Sequence, residues 1–157
     1  MTENYDPQCN TCLSIQGIKP LFPESKMYDG KYWIVEHAYP VLIKGWIVII
    51  LKRHVQALHE LAAEEFQELA ILQGKIAKIL NTELNSAKEY SVCFAEAPGF
   101  NHIHFHMISR VKETPEELKG GKIFSMLKTD IEHSLTKEQI LPLCEKIRAE
   151  LNQISNF

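Results

Sequence analysis

The chain has 157 residues, 45% hydrophobic and 24% charged, with a formal net charge of −3. That is the make-up of one ordinary globular domain, long enough to bury roughly 70% of its unfolded surface without staples. The negative balance offers no general attraction for nucleic acid or an anionic membrane. The longest apolar run, Trp46 to Leu51, is far too short to span a bilayer, and no N-terminal apolar segment reads as a secretory signal, so a cytoplasmic protein is expected.

Residues 1–8 are polar, Cys9 to Ser14 reads as a knuckle-like turn, and residues 15–26, with Pro20 and Pro23, look irregular. Met27 to Glu36 reads as a hairpin turning on Asp29-Gly30, a favoured two-residue turn. The β-branched run Trp46 to Leu51 predicts a buried strand that leads into Lys52-Arg53-His54-Val55. The period becomes helical from Ala62 to Asn81. Phe66, Leu69, Leu72, Ile76, Ile79 and Leu80 mark its apolar face, and Glu64, Glu65 and Glu68 lie near its start, where the helix dipole favours acid. Ser91 to Ala95 suggests a strand, broken by Ala97-Pro98-Gly99. Thr114-Pro115-Glu116-Glu117 has a capping-box form, with Gly120-Gly121 ending a short element. A C-terminal helix carries Ile140, Leu143, Cys144, Ile147, Leu151 and Ile154, with Pro142 either in its first turn or at a kink. No repeat or linker divides the chain. A single domain over 1–157 is expected, with a core at about 9–110 and an extension with a helix over 111–157.

Asn101 to Ile108 concentrates the chemistry. His102, His104 and His106 alternate with Ile103, Phe105 and Met107. On a strand the three imidazoles would form a row with neighbours roughly 7 Å apart, and the apolar residues would face a core. Such a row fits a solvent-facing strand, a metal site, or nucleophilic attack at phosphorus with flanking donors. Periodicity does not choose among them. Cys9 and Cys12 form a C-x-x-C pair, which in a reducing compartment suggests metal or redox chemistry before a disulfide. No strand-then-helix context of the dithiol type surrounds Cys9, which favours zinc. Cys93 and Cys144 sit in apolar patterns, so His54 and His102 are the natural further ligands if their strands are neighbours. Lys52-Arg53 is either a solvated turn or a counter-charge for an anionic substrate. His37, His59 and His133 are read as surface or ordinary structural residues.

On these residues the chain resembles the histidine triad (HIT) family, in its zinc-binding C-x-x-C branch. The hallmark His-φ-His-φ-His-φ-φ, with φ apolar, is matched by His102-Ile103-His104-Phe105-His106-Met107-Ile108. Gly45-Trp46, the following strand and Lys52-Arg53-His54-Val55 are similar to the segment that precedes it. The resemblance implies an α+β fold, an antiparallel sheet with one long helix, to which the pattern adds a C-terminal helix. It also implies a homodimer and a small-molecule nucleotide substrate. That substrate would be a nucleoside phosphoramidate or dinucleoside polyphosphate, split at the α-phosphate through a nucleotidyl-histidine. By the same resemblance His104 is the nucleophile and His106 holds a phosphate oxygen. Gly99 and Asn101 offer a backbone approach and a side-chain bond to substrate. Cys9, Cys12, His54 and His102 hold a zinc ion that is structural, because a closed four-ligand site has no open position. The chain departs from the family pattern where Ala38 and Ala95 replace residues that are often acid or amide. This leaves a nucleotide-binding or regulatory protein without significant turnover as the alternative.

Overall fold

The computed structural model describes residues 4–20, 22–127 and 130–154, so the ends of the expected 1–157 domain lie outside the described residues. Its centre is a five-stranded antiparallel sheet in the order β1-β2-β3-β5-β4. The strands are β1 (Tyr28–Asp29), β2 (Trp33–His37), β3 (Trp46–Leu51), β4 (Ser86–Val92) and β5 (His104–Val111). A short helix α1 (Asn10–Ile15) precedes them, α2 (Ala63–Leu84) joins β3 to β4, and α3 (Lys137–Leu151) closes the order. This is the expected α+β architecture. Among the described residues no helix is long and apolar enough to cross a membrane.

The pleat divides β5 into two faces. Trp33, Val35, Ile49, Leu51 and Met107 join Leu69, Leu72 and Ile76 of α2 and Ile140 and Ile147 of α3 in one buried cluster. The opposite face carries cross-strand rows. Ile34 stands opposite Ile50, which stands opposite His104; Glu36 stands opposite Val48, which stands opposite His106. A histidine of β5 therefore projects from the face away from α2, on a sheet whose other side is anchored by apolar packing.

Several boundaries differ from the sequence pattern for identifiable reasons. Cys9 to Ser14 is not a turn: Cys9 is the extended N-cap of α1. The β1–β2 turn is centred on Lys31-Tyr32 rather than Asp29-Gly30, with Gly30 N donating to the Trp33 carbonyl at 2.9 Å. Gly30 faces inward, where a Cβ would lie 2.0 Å from Glu68 Oε1. Strand β4 begins at Ser86 and not at Ser91. Asn85 takes the left-handed conformation that ends α2 (φ 53°), and the polar residues that follow form a sheet edge, which no apolar pattern reveals. Phe66 is 42% exposed, and Glu65 and Glu68 are buried in its stead. Gly120-Gly121 does not end a helix; it opens a 3-10 segment, Gly120–Met126, after a 3-10 turn at Glu116–Leu118. Pro142 is the sixth residue of α3 and exposed, so the first-turn alternative fails. Thr136 caps that helix, with reciprocal bonds to Gln139.

Arg53 is half-exposed, and its charge is taken up within the protein. Its guanidinium forks onto Glu65, at 2.6 and 2.8 Å, and donates to the Glu60 carbonyl. This ties the end of β3 to the first turn of α2, and Lys52 is likewise engaged by Asp29 and the Gly30 carbonyl. The Arg53 fork, helped by the Ala62 amide and opposed by burial, holds the Glu65 carboxyl below its ordinary value. A carboxyl lowered by folding contributes stability that is present above its unfolded pKa and lost as the pH falls through the folded one. Arg53→Met is therefore expected to lower stability at neutral pH and to flatten its decline below about pH 4. Urea midpoints across that range check this, and parallel wild-type and variant curves would refute it.

Candidate functional site

Four side chains from three parts of the chain converge beside α1. Cys9 and Cys12 come from its start, His54 from the segment after β3, and His102 from just before β5. Their donor atoms all lie within 4.8 Å of one another. His102 Nδ1 is 3.7 Å from Cys9 Sγ and 3.5 Å from Cys12 Sγ, and His54 Nδ1 is 3.4 Å from Cys12 Sγ. Zinc bonds of about 2.3 Å to sulfur and 2.0–2.1 Å to nitrogen, at tetrahedral angles, separate the two donors by about 3.5 Å. The residues present thus fit a zinc ion.

The His102 ring is oriented for this. Its Nε2–H donates to the Leu51 carbonyl at 2.6 Å, leaving the Nδ1 lone pair towards the sulfurs. The ring is fully buried, and burial pushes its pKa down to about 4. Burial raises the Cys12 thiol to about 11. His102 lies outside β5 proper, so the three histidines are not one uniform row: the first belongs to the knuckle and the other two to the strand.

His104 and His106 pack edge to face, with ring centroids 4.9 Å apart. His104 Nδ1–H donates to the His102 carbonyl at 2.6 Å, so its Nε2 carries the free lone pair. Burial depresses the His104 pKa and keeps the ring neutral. This is the protonation state and tautomer that a nitrogen nucleophile needs. His106 is oriented by a residue that the sequence pattern treated only as the start of a strand. The Trp46 indole N–H donates to His106 Nδ1 at 2.9 Å. A fully buried tryptophan must satisfy its N–H, and that rule was the available signal. Phe124, from the 3-10 segment Gly120–Met126, stands edge-on to His106 and Trp46 at 5.0 and 5.2 Å, and to the exposed Phe94 at 5.2 Å. No motif marked it.

The glycine loop is held by the knuckle. The Gly99 carbonyl accepts from Asn10 N at 2.9 Å, and Gly99 has φ +79° with a virtual Cβ 2.5 Å from Asn10 Nδ2. Asn101 is exposed, and no hydrogen bond of its side chain occurs among the described residues. Ala95 takes a left-handed φ of 53° while buried, a strained conformation for alanine at the entry to this loop. His37 is structural and buried: Nδ1–H donates to the Ala38 carbonyl and Nε2 accepts from Gly45 N. His133 is exposed and pairs with Asp130, and His59 is exposed.

A family model described as "Scavenger mRNA decapping enzyme C-term binding" matches residues 14–119, about two thirds of the chain, beginning after the cysteine pair. Among solved structures, a Hit-like protein involved in cell-cycle regulation from Bartonella henselae superposes with a TM-score of 0.69 at 20% identity. That match covers 94% of this chain and 99% of the other. A zinc-bound histidine triad family protein from Mycobacterium smegmatis gives 0.65 at 17%, covering 92% and 95%. The diadenosine triphosphate hydrolase of Plasmodium falciparum gives 0.59 at 16%, covering 83% and 78%. At these identities the likeness is one of fold. None of the curated proteins matches in sequence.

The donor geometry predicts one zinc per chain. Cys12→Ala is expected to lose it and His104→Ala to keep it, as measured by elemental analysis of purified protein. Loss of metal from the His104 variant with retention by the Cys12 variant would overturn the assignment.

Proposed function

Because the chain belongs to the scavenger mRNA decapping enzyme C-terminal family, with its histidine triad fold, we propose that it is a nucleotide hydrolase or transferase acting at an α-phosphate through a nucleotidyl-histidine on His104. The observation that carries this is the hydrogen bond from His104 Nδ1–H to the His102 carbonyl, which leaves Nε2 basic and unprotonated. The substrate is a nucleoside phosphoramidate or a dinucleoside polyphosphate. His104 Nε2 bonds to phosphorus as the bond to the leaving group breaks, and the leaving atom takes the electron pair. The His102 carbonyl steadies the cationic ring that results. Water then bonds to phosphorus, Nε2 recovers its electron pair, and the water's proton passes to solvent. His106 donates Nε2–H to a phosphate oxygen, and the Gly99 backbone and the Asn101 side chain are further substrate contacts in this reading. Bound by Cys9, Cys12, His54 and His102, zinc would supply stability and no Lewis-acid position, the four-donor site being closed.

A second reading is binding without turnover, on the same scaffold. Ala38 and Ala95, both buried, favour it, since they offer no side-chain partner for a ribose or leaving group. We further propose that residues 1–157 form one domain and that the protein works in a reducing cytoplasm, where its free cysteines persist. We also propose that it forms a homodimer. The open β4 edge of the sheet and exposed Phe66 and Ile71 on α2 support that pairing; a monomeric mass in analytical ultracentrifugation would refute it.

Protein quenched during turnover with a nucleotide panel is expected to carry a nucleotidyl mass on His104. His104→Ala is expected to lose the adduct and at least about 10³-fold in kcat/KM. Full activity of that variant would sink the mechanism. Tight nucleotide binding with neither adduct nor product would favour the second reading.

A further inference from the structure

Trp46 opens β3 and is fully buried. Its indole N–H reaches across to His106 Nδ1 at 2.9 Å, and the two rings meet edge to face with centroids 5.8 Å apart. Phe124 lies edge-on against both, and His106 is only 8% exposed. Indole N–H donates and never accepts. His106 Nδ1 must therefore be the acceptor, and the proton of the neutral ring sits on Nε2.

We propose that Trp46 is a positioning residue that holds His106 as the neutral Nε2–H tautomer, able to hydrogen-bond the reacting phosphate but not to protonate a leaving group. Trp46 would thereby restrict turnover to leaving groups that depart as stable anions. The first part stands on the Trp46–His106 geometry alone. The second rests on the nucleotidyl-transfer reading.

The surroundings agree. Val48 and Val92 lie opposite His106 on the neighbouring strands, Phe124 and Trp46 pack on its ring, and among the described residues the titratable group against it is His104. Burial first, and His104 second, push the His106 pKa down to about 3. A second proton would have to displace the Trp46 N–H from Nδ1. Loss of the Nε2 proton from the neutral ring would leave an imidazolate.

The consequence follows from the bond that breaks. When His104 Nε2 bonds to the phosphorus of an anhydride, the bridging oxygen leaves with the electron pair as a phosphate anion, which is stable at neutral pH. When the bond is P–N, the departing nitrogen must gain a proton as the bond breaks, and the one ring proton of neutral His106 is too weakly acidic to supply it. Trp46 would therefore favour anhydrides over phosphoramidates through the acidity of the leaving group rather than its shape.

Two measurements test this. In nitrogen-15-labelled wild-type protein, two-bond proton–nitrogen spectra are expected to show His106 with a bare Nδ1 and a protonated Nε2 at neutral pH. An Nδ1–H tautomer, or a doubly protonated ring, overturns the proposal. This needs no variant, so it decides the tautomer even if a Trp46 substitution fails to fold. The second measurement compares diadenosine triphosphate with adenosine 5′-phosphoramidate, and a series of aryl esters of AMP with phenols of graded acidity. Wild-type rates are expected to fall steeply as the phenol becomes less acidic. Trp46→Phe is expected to free His106 Nδ1 for a second proton, so that an imidazolium can protonate the leaving nitrogen, to flatten that dependence and to raise phosphoramidate turnover relative to the triphosphate at least about tenfold. A flat wild-type dependence, or equal wild-type turnover of the two nucleotides, overturns the leaving-group restriction. If no nucleotide is turned over, that restriction falls with the functional reading, and the nitrogen spectrum still decides the tautomer.

Discussion

The 2.6 Å hydrogen bond from His102 Nε2–H to the Leu51 carbonyl is the constraint on which the site depends. It fixes which nitrogen of the ring faces Cys9 and Cys12. It also ties the segment before β5 to the end of β3, a link repeated on the backbone by Leu51 N to the Ile103 carbonyl. The carbonyl of that same His102 then accepts the Nδ1–H of His104. One residue thus sets the geometry of the metal-type cluster with its side chain and the tautomer of the neighbouring imidazole with its main chain. A shift of either strand would disturb both.

The charge around the histidines has an unexpected source. Lys52 and Arg53 look in sequence like a ready counter-ion pair, yet Asp29, Glu65 and backbone carbonyls hold them. An anion resting on β5 would meet neutral imidazoles and loop amides. Neutral donors in a partly dehydrated setting can still stabilise developing charge, because the low local dielectric strengthens each hydrogen bond.

The parts of the molecule that were legible in sequence are those where one periodicity dominates. The run Trp46–Leu51 is a strand because its β-branched residues are buried on both faces, and α2 follows its Leu/Ile stripe. The triad declared its own alternation, and the convergence of Cys9, Cys12, His54 and His102 followed once β3 and β5 were neighbours. Polar solutions were harder to read. Edge strand β4 opens at Ser86 and needs no apolar signal, and Glu65 and Glu68 replaced Phe66 on the buried face, where Arg53 forks onto Glu65 and the Tyr32 amide donates to one oxygen of Glu68. Trp46 and Phe124 were silent because their roles arise from contacts across 60 residues and from a 3-10 segment with no period.

The knuckle also has a history in the assembly of the chain. Cys9 meets His102 across 93 residues, and Asn10 meets Gly99 across nearly as many. Closing a loop of that length costs about 4 kcal/mol of chain entropy. Cys12 can meet His54 earlier, but the four-residue cluster and the Asn10–Gly99 bond cannot be completed until the segment before β5 has been made and has docked on β3. During synthesis the two thiols therefore leave the ribosome long before His102, the imidazole that completes their cluster.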